Sequence, residues 1–234
     1  MPLWLDLATG PLMRFTLAIL ILGLARLVLL TLWDLVVAVR RALDRQIPYR
    51  SVFINTLSWL VPIKRIGNTR HFYSLASIGF HVGILFAALF LSNHIEILYG
   101  VLGIHWIGLV KPAVDILTIL MILSGGYLLA FRIYAPSSRA LSKSMDYVLL
   151  GLLLGIFSSG FLAGRSWNPI PYDYLMLAHT LMGGALLLTI PYTKISHCVL
   201  FPLIRLSSEI AWHFPPNAGR QVSKTLHGTE AREI

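Results

Sequence analysis

The stretch HFYSLASIGFHVGILFAALFLSN, residues 71–93, decides the fold. It contains no Lys, Arg, Asp or Glu, and it is long enough to cross a hydrocarbon core of roughly 30 Å as a helix, which takes about 20 residues. It nevertheless carries His71 and His81. Working outward, four more stretches are long and apolar enough to span, giving predicted spans at 12–36, 71–93, 109–132, 146–164 and 173–197. The whole chain agrees: 56% of its residues are hydrophobic and 12% charged, with a mean hydropathy of +0.74. Charged residues make up about a quarter of an ordinary soluble domain. The period-2 alternation of barrel strands is absent, and a lipid-exposed backbone must satisfy its own hydrogen bonds. The expected fold is therefore all-α: a polytopic bundle of five transmembrane helices over residues 1–205, followed by a tail at 206–234.

Charge sets the expected orientation. The formal net charge of +9 is concentrated on alternate connections. Arg40, Arg41, Arg45, Arg50, Lys64, Arg65 and Arg70 lie between the first two spans, and Arg132, Arg139 and Lys143 between the third and fourth. Lys194, Arg205, Arg220, Lys224 and Arg232 follow the fifth, against Arg14, Lys111 and Arg165 on the opposite side. The positive-inside rule then places the N-terminus outside and the C-terminus in the cytoplasm. Trp4, Trp106, Trp167, Tyr172 and Tyr174 suit an aromatic belt at the outer interface. This distribution explains the basic balance without nucleic acid as a partner. The first apolar run is long, contains Arg26 and lacks a small-residue cleavage site, so it is read as a membrane helix that is kept.

The single cysteine, Cys198, excludes an internal disulfide, a Cys-x-x-Cys-His attachment site and a four-cysteine iron–sulfur cluster. The polar stretches at 37–70 and 198–234 are too short for a catalytic domain, so any soluble chemistry belongs to a partner.

The histidines carry the functional reading. A neutral imidazole ligates haem iron through one ring nitrogen and donates a proton from the other. With a rise of about 1.5 Å per residue, His81 lies about 15 Å beyond His71, near the midplane, and His197 about 27 Å beyond His179 on the antiparallel fifth span. Depth therefore pairs His71 with His197 on a haem nearer the cytoplasm, and His81 with His179 on a distal haem. On an ideal continuous helix His179 and His197 share a face, whereas His71 and His81 differ by roughly 80°. The bland alternative is a transporter bundle whose histidines line a pathway. Acids are scarce in the spans, with Asp34 and Asp115 the ones weighed here, too few for a convincing proton relay. Gly79, Gly83, Gly125, Gly126, Gly155, Gly160, Gly183 and Gly184 suit either room for a flat macrocycle or close helix packing.

His94 and His105 are read in the outer loop with Asn93, Glu96 and Lys111, where an imidazole of near-neutral pKa could meet a quinone or quinol. His213 and His227 are read as surface residues of the tail. A third reading distributes haem ligands over other helices of a different di-haem cytochrome b, and haem content in His94 and His105 variants distinguishes it.

The histidine spacings, together with GFHVGILF around His81, VKPA at the start of the third span and RIYAPSSR at its end, resemble the di-haem cytochrome b gamma subunit of membrane-bound respiratory nitrate reductase. The resemblance covers all five spans, about 12–205. It implies two b haems held by the second and fifth helices, with His71 and His197 on the proximal haem and His81 and His179 on the distal one. It also implies quinol oxidation near the distal haem, with Lys111 as the lysine at the outer end of the third helix. The implied partners are a cytoplasmic iron–sulfur subunit and, through it, a catalytic reductase subunit. The implied setting is a bacterial or archaeal cytoplasmic membrane. The chain also resembles b subunits of heterodisulfide-reductase-like, sulfite-reduction-associated and sulfate-reducer transmembrane complexes, and its tail and 37–70 loop look less like a nitrate reductase subunit. On this reading the chain is the electron-transfer subunit of an oxidoreductase complex.

Overall fold

The computed structural model describes residues 2–41, 48–60, 71–211 and Lys224. The basic residues Arg45, Lys64, Arg65, Arg70, Arg220 and Arg232, with His213 and His227, lie outside them. In chain order the helices are α1 (Pro2–Leu7), α2 (Met13–Arg41), α3 (Tyr49–Leu60), α4 (His71–Phe90) and α5 (Ser92–Leu102). They continue with α6 (Lys111–Tyr134), α7 (Pro136–Leu141), α8 (Ser144–Ala163), α9 (Tyr172–Thr189) and α10 (His197–Ala211). Among the described residues there is no strand. Five helical stretches are long and apolar enough to cross a membrane: Leu3–Val37, His71–Phe90, Lys111–Tyr134, Ser144–Ala163 and Tyr172–Tyr192.

Three differences from the sequence expectation have physical causes. The first span begins at Leu3 rather than near residue 12, because the widened π turn Ala8–Leu12 accommodates Pro11 and carries the helix past it. Proline lacks an N–H and crowds the preceding turn, and a wider turn relieves both problems. The two connections read as loops contain α3 and α5. The fifth span is not one helix through to residue 197. Its α-helix ends at Thr189 and gives way to short 3₁₀ turns at Ile190–Tyr192 and Lys194–Ser196, after which α10 starts at His197. Pro191 sits inside the break. The shared face calculated for His179 and His197 on one continuous helix therefore does not apply.

The chain divides into two compact units, one formed by Met1–Ile21 with Lys64–Ile190 and the other by Leu22–Ile63 with Pro191–Ile234. In the first unit α4 packs on α6, α6 on α8 and α8 on α9, while α1 and the π turn rest on α9. Its core is Phe80, Met121, Leu128 and Leu150, filled out by Tyr73, Ile84 and Leu154. Leu123 and Ile116 remain 68% and 67% exposed, so α6 turns apolar side chains outward, as a span of this composition does. Lipid tails are as apolar as leucine, so such helices associate through close van der Waals fit at small residues. A Cβ on Gly83 would lie 2.6 Å from Met121 Cβ and 2.7 Å from the Leu117 carbonyl oxygen, and one on Gly125 would lie 3.0 Å from the Phe80 ring and from Leu154. These two glycines let α4 and α8 approach α6.

In the second unit α3 lies on α10. Val52 and Ile210 are buried there, with Leu35, Val39 and Leu206 packed around them. The Arg205 guanidinium lies 4.0 Å over the Trp59 ring and pairs with Glu209 one turn along α10. A Cβ on Gly23 would meet Pro191 Cβ at 2.6 Å, so this glycine makes room for the proline at the break.

Candidate functional site

The clearest polar constellation in the first unit is built on α9. This helix begins after Pro171, whose fixed φ suits an extended entry, and Asp173 occupies its first turn, where a carboxylate complements the helix dipole. Two turns in, His179 turns toward α8. Its Nδ1 lies 2.9 Å from the Ile156 carbonyl oxygen and 3.4 Å from Ser159 Oγ. Ser159 Oγ in turn donates to the same carbonyl at 2.9 Å. Gly160 supplies the space: a Cβ there would come within 2.8 Å of His179 Cε1 and 3.0 Å of Nδ1. On the same helix Gly155 makes room for Met182, whereas Gly126 and Gly183 face open space. Most of the glycines in close contact thus serve helix packing, and Gly160 seats a histidine ring.

His94 is the imidazole beside His179. The two ring centroids are 6.1 Å apart and the ring planes 13° from parallel. His94 lies in the first turn of α5, a helix that starts after Leu91 and stops at Gly103, whose φ of +68° is the left-handed conformation that glycine adopts without strain. The return segment is tied to the end of α4 by Leu109 N–H donating to the Phe90 carbonyl at 2.8 Å and by Trp106 Nε1 donating to the Leu89 carbonyl at 2.9 Å. His94 Nδ1 lies 2.8 Å from the Ala88 carbonyl. Burial pushes His94 below the usual imidazole pKa; the Ala88 hydrogen bond opposes that shift and the neighbouring His179 adds to it. The neutral ring is therefore favoured.

The other sequence-predicted ligands are placed as follows. His81 is exposed midway along α4, with Nδ1 2.7 Å from the Ser77 carbonyl one turn earlier. His71 is the exposed first residue of α4. His197 is the exposed first residue of α10, with Nδ1 2.6 Å from the Lys194 carbonyl. A carbonyl only accepts, so in the neutral rings of His81, His94, His179 and His197 the proton resides on Nδ1 and Nε2 is the basic nitrogen. Metal-binding histidines are commonly oriented in this way. Among the described residues no three His, Cys, Asp or Glu side chains gather as a group that could hold a metal ion. A haem asks for less, because its macrocycle leaves only the axial positions to the protein.

Lys111 opens α6 next to Pro112, and its Nζ makes a long 3.4 Å contact with the Gly164 carbonyl just past the end of α8. One turn along α6, Asp115 pairs with Arg165 at 2.8 Å, and the Arg165 guanidinium lies 4.2 Å over the Phe161 ring. Fifty residues separate the partners, so the ion pair has no local sequence signature. His105 is exposed on the α5 return and lies 3.6 Å from Glu96 and edge-on to Tyr99.

The sequence expectation of an outer loop from residue 94 hides the approach of His94 to His179, because α5 turns that stretch into helix. The signals were present: Ser92 and Asn93 at a helix start, an apolar periodicity behind them, and Gly103 as a stop.

No protein-family model matches the chain. A protein of Nitratidesulfovibrio vulgaris strain Hildenborough that carries no functional name is 33% identical over 152 residues, which is 64% of this chain and 66% of that protein. The chain thus matches just under two thirds of that relative's length. No solved structure matches.

Proposed function

We propose that the chain is the membrane-anchoring cytochrome b subunit of a respiratory complex, carrying electrons between the quinone pool and a cytoplasmic iron–sulfur subunit through two b haems. The single observation that carries this reading is the imidazole chemistry just described. His81, His179 and His197 each donate from Nδ1 to a backbone carbonyl, and each therefore presents Nε2 as the basic nitrogen. This is the tautomer in which an imidazole ligates iron through Nε2. The set His71, His81, His179 and His197 comes from the sequence spacing, and the partnership of His71 with His197 rests on that spacing alone.

When bound, the haems supply one-electron chemistry, while the protein sets their access and potential through ligands, burial and hydrogen bonds. Ile156 and Ser77 hold ligand rings in place through their carbonyls. Lys111, and His94 on the sequence reading, would meet the quinone. A lysine ammonium donates to a quinone oxygen, and a neutral imidazole accepts a quinol proton. With the N-terminus outside and the basic connections in the cytoplasm, protons from quinol would be released outside while electrons crossed inward. Membrane lipid surrounds the bundle, and the setting is the cytoplasmic membrane of a bacterium or archaeon.

Resemblance to the nitrate reductase gamma subunit favours a nitrate-reductase-like complex. A heterodisulfide-reductase-like or sulfur-metabolism transmembrane complex uses the same electron path with another terminal partner. A short-chain quinol mixed rapidly with the oxidised, purified protein tests the function. Reduction of a b-type haem on mixing, blocked by a quinone-site inhibitor, is expected. A fully oxidised haem that ignores quinol but accepts electrons from dithionite would reject the quinone role.

A further inference from the structure

We infer that His94 is the axial partner of His179 on one haem iron, an assignment that rests on the haem reading above, takes the place beside His179 that the sequence spacing gives to His81, and moves His94 out of the quinone site. Three observations carry it.

The first is distance. An imidazole nitrogen sits about 2.0 Å from a first-row metal. Adding about 1.1 Å from nitrogen to ring centre on each side places two trans imidazole centroids about 6 Å apart. His94 and His179 have centroids at 6.1 Å. Simple stacking explains that value poorly. Rings in van der Waals contact lie about 3.5 Å apart face to face, so near-parallel planes at this centroid separation would be offset by about 5 Å and would scarcely overlap.

The second is the pair's hydrogen bonding. The Nδ1–H of His94 is committed to Ala88 and that of His179 to Ile156, carbonyls on two different parts of the fold. Both Nε2 atoms are then lone-pair donors. Among the described residues no side chain or backbone group donates to either. Both lone pairs are thereby left for a group that accepts electron pairs, and a metal is such a group.

The third is that both rings are held from behind. Gly160 leaves space for the His179 ring, and the α5 return is pinned to the end of α4 by Leu109 and Trp106. Such positioning is what a ligand pair needs. A residue in a solvated loop does not require it.

The test uses the full-length protein purified with its haem. Haem is counted by pyridine haemochrome and ferric spin state is read by EPR in the wild type and in His94→Gly, His94→Met, His179→Gly and the double variant His94→Gly with His179→Gly. His94→Gly is expected to lose one low-spin ferric signal, through loss of that haem or conversion to high spin, and added imidazole is expected to restore the signal. His94→Met should keep the haem with an altered low-spin spectrum and a raised midpoint potential. The double variant should lose no more haem than His179→Gly alone. A wild type with two low-spin haems and a His94→Gly protein that keeps both, whether or not quinol oxidation falls, overturns the assignment. A wild-type chain free of haem overturns the reading beneath it, and the ligand with it.

Discussion

The carbonyl of Ile156 accepts from His179 Nδ1 at 2.9 Å, across the seam where α8 meets α9. That carbonyl belongs to the turn of α8 that ends at Gly160, and the missing side chain of Gly160 leaves the imidazole room to reach it. The bond fixes which nitrogen of His179 is basic, so a packing detail of α8 controls a chemical property of α9.

Gly160→Ala is accordingly expected to disturb function more than its size suggests. Its methyl would lie 2.8 Å from His179 Cε1. Overpacking of this kind costs about 1–3 kcal/mol, readable as a lowered midpoint of thermal unfolding in detergent together with a shifted low-spin EPR signal. Gly126→Ala meets nothing within 4 Å and should be neutral, or stabilising by up to about 1 kcal/mol through helix propensity. Equal behaviour of the two variants would refute the seat described for His179.

Gly83→Ala tests the α4–α6 contact by itself. The new Cβ would meet Met121 Cβ at 2.6 Å and the Leu117 carbonyl at 2.7 Å, and neither can swing aside as the end of a flexible side chain can. The helices must part, at a cost of about 2–3 kcal/mol. Gly183→Ala, in open space, is the matched control. Unfolding midpoints of the two variants decide the matter, and a tolerant Gly83→Ala would show that α4 does not rely on this approach.

Asp115 and Arg165 form an ion pair with side chains 27% and 22% exposed. Partial exposure limits its worth to about 1 kcal/mol. Asp115→Asn and Arg165→Gln should each destabilise the protein, and the double variant should lose less than the sum, with a coupling energy of about 0.5–1 kcal/mol. Strict additivity in a double-mutant cycle would show that the pair contributes nothing measurable.

The orientation argued from loop charge is open to fusion reporters. If the proposed orientation holds, green fluorescent protein fused after residue 234 should fluoresce and alkaline phosphatase fused there should be inactive. Active phosphatase at that position would invert the proposed direction of electron transfer across the membrane.

The five spans were legible in the sequence because hydrocarbon length and backbone satisfaction leave few alternatives, and the stretch beginning at His71 demanded a helix whatever its neighbours did. The end of the fifth helix was less legible. Pro191 could have bent a continuous helix, whereas it lies in a break that resets the register before His197. The short helices α3 and α5 fall below the length at which hydropathy alone identifies an element, so the approach of His94 to His179 is not legible in the sequence. Depth counting compares positions along helices. It does not reveal a ring brought back by a turn after the helix has ended.

Whether this bundle carries b haem is decided by the reduced-minus-oxidised optical spectrum of the purified chain, with haem quantified as the pyridine haemochrome. The α and Soret bands of low-spin b haem are expected, at two haems per chain. A protein purified from haem-replete membranes, folded and helical yet without those bands, would contradict the haem reading.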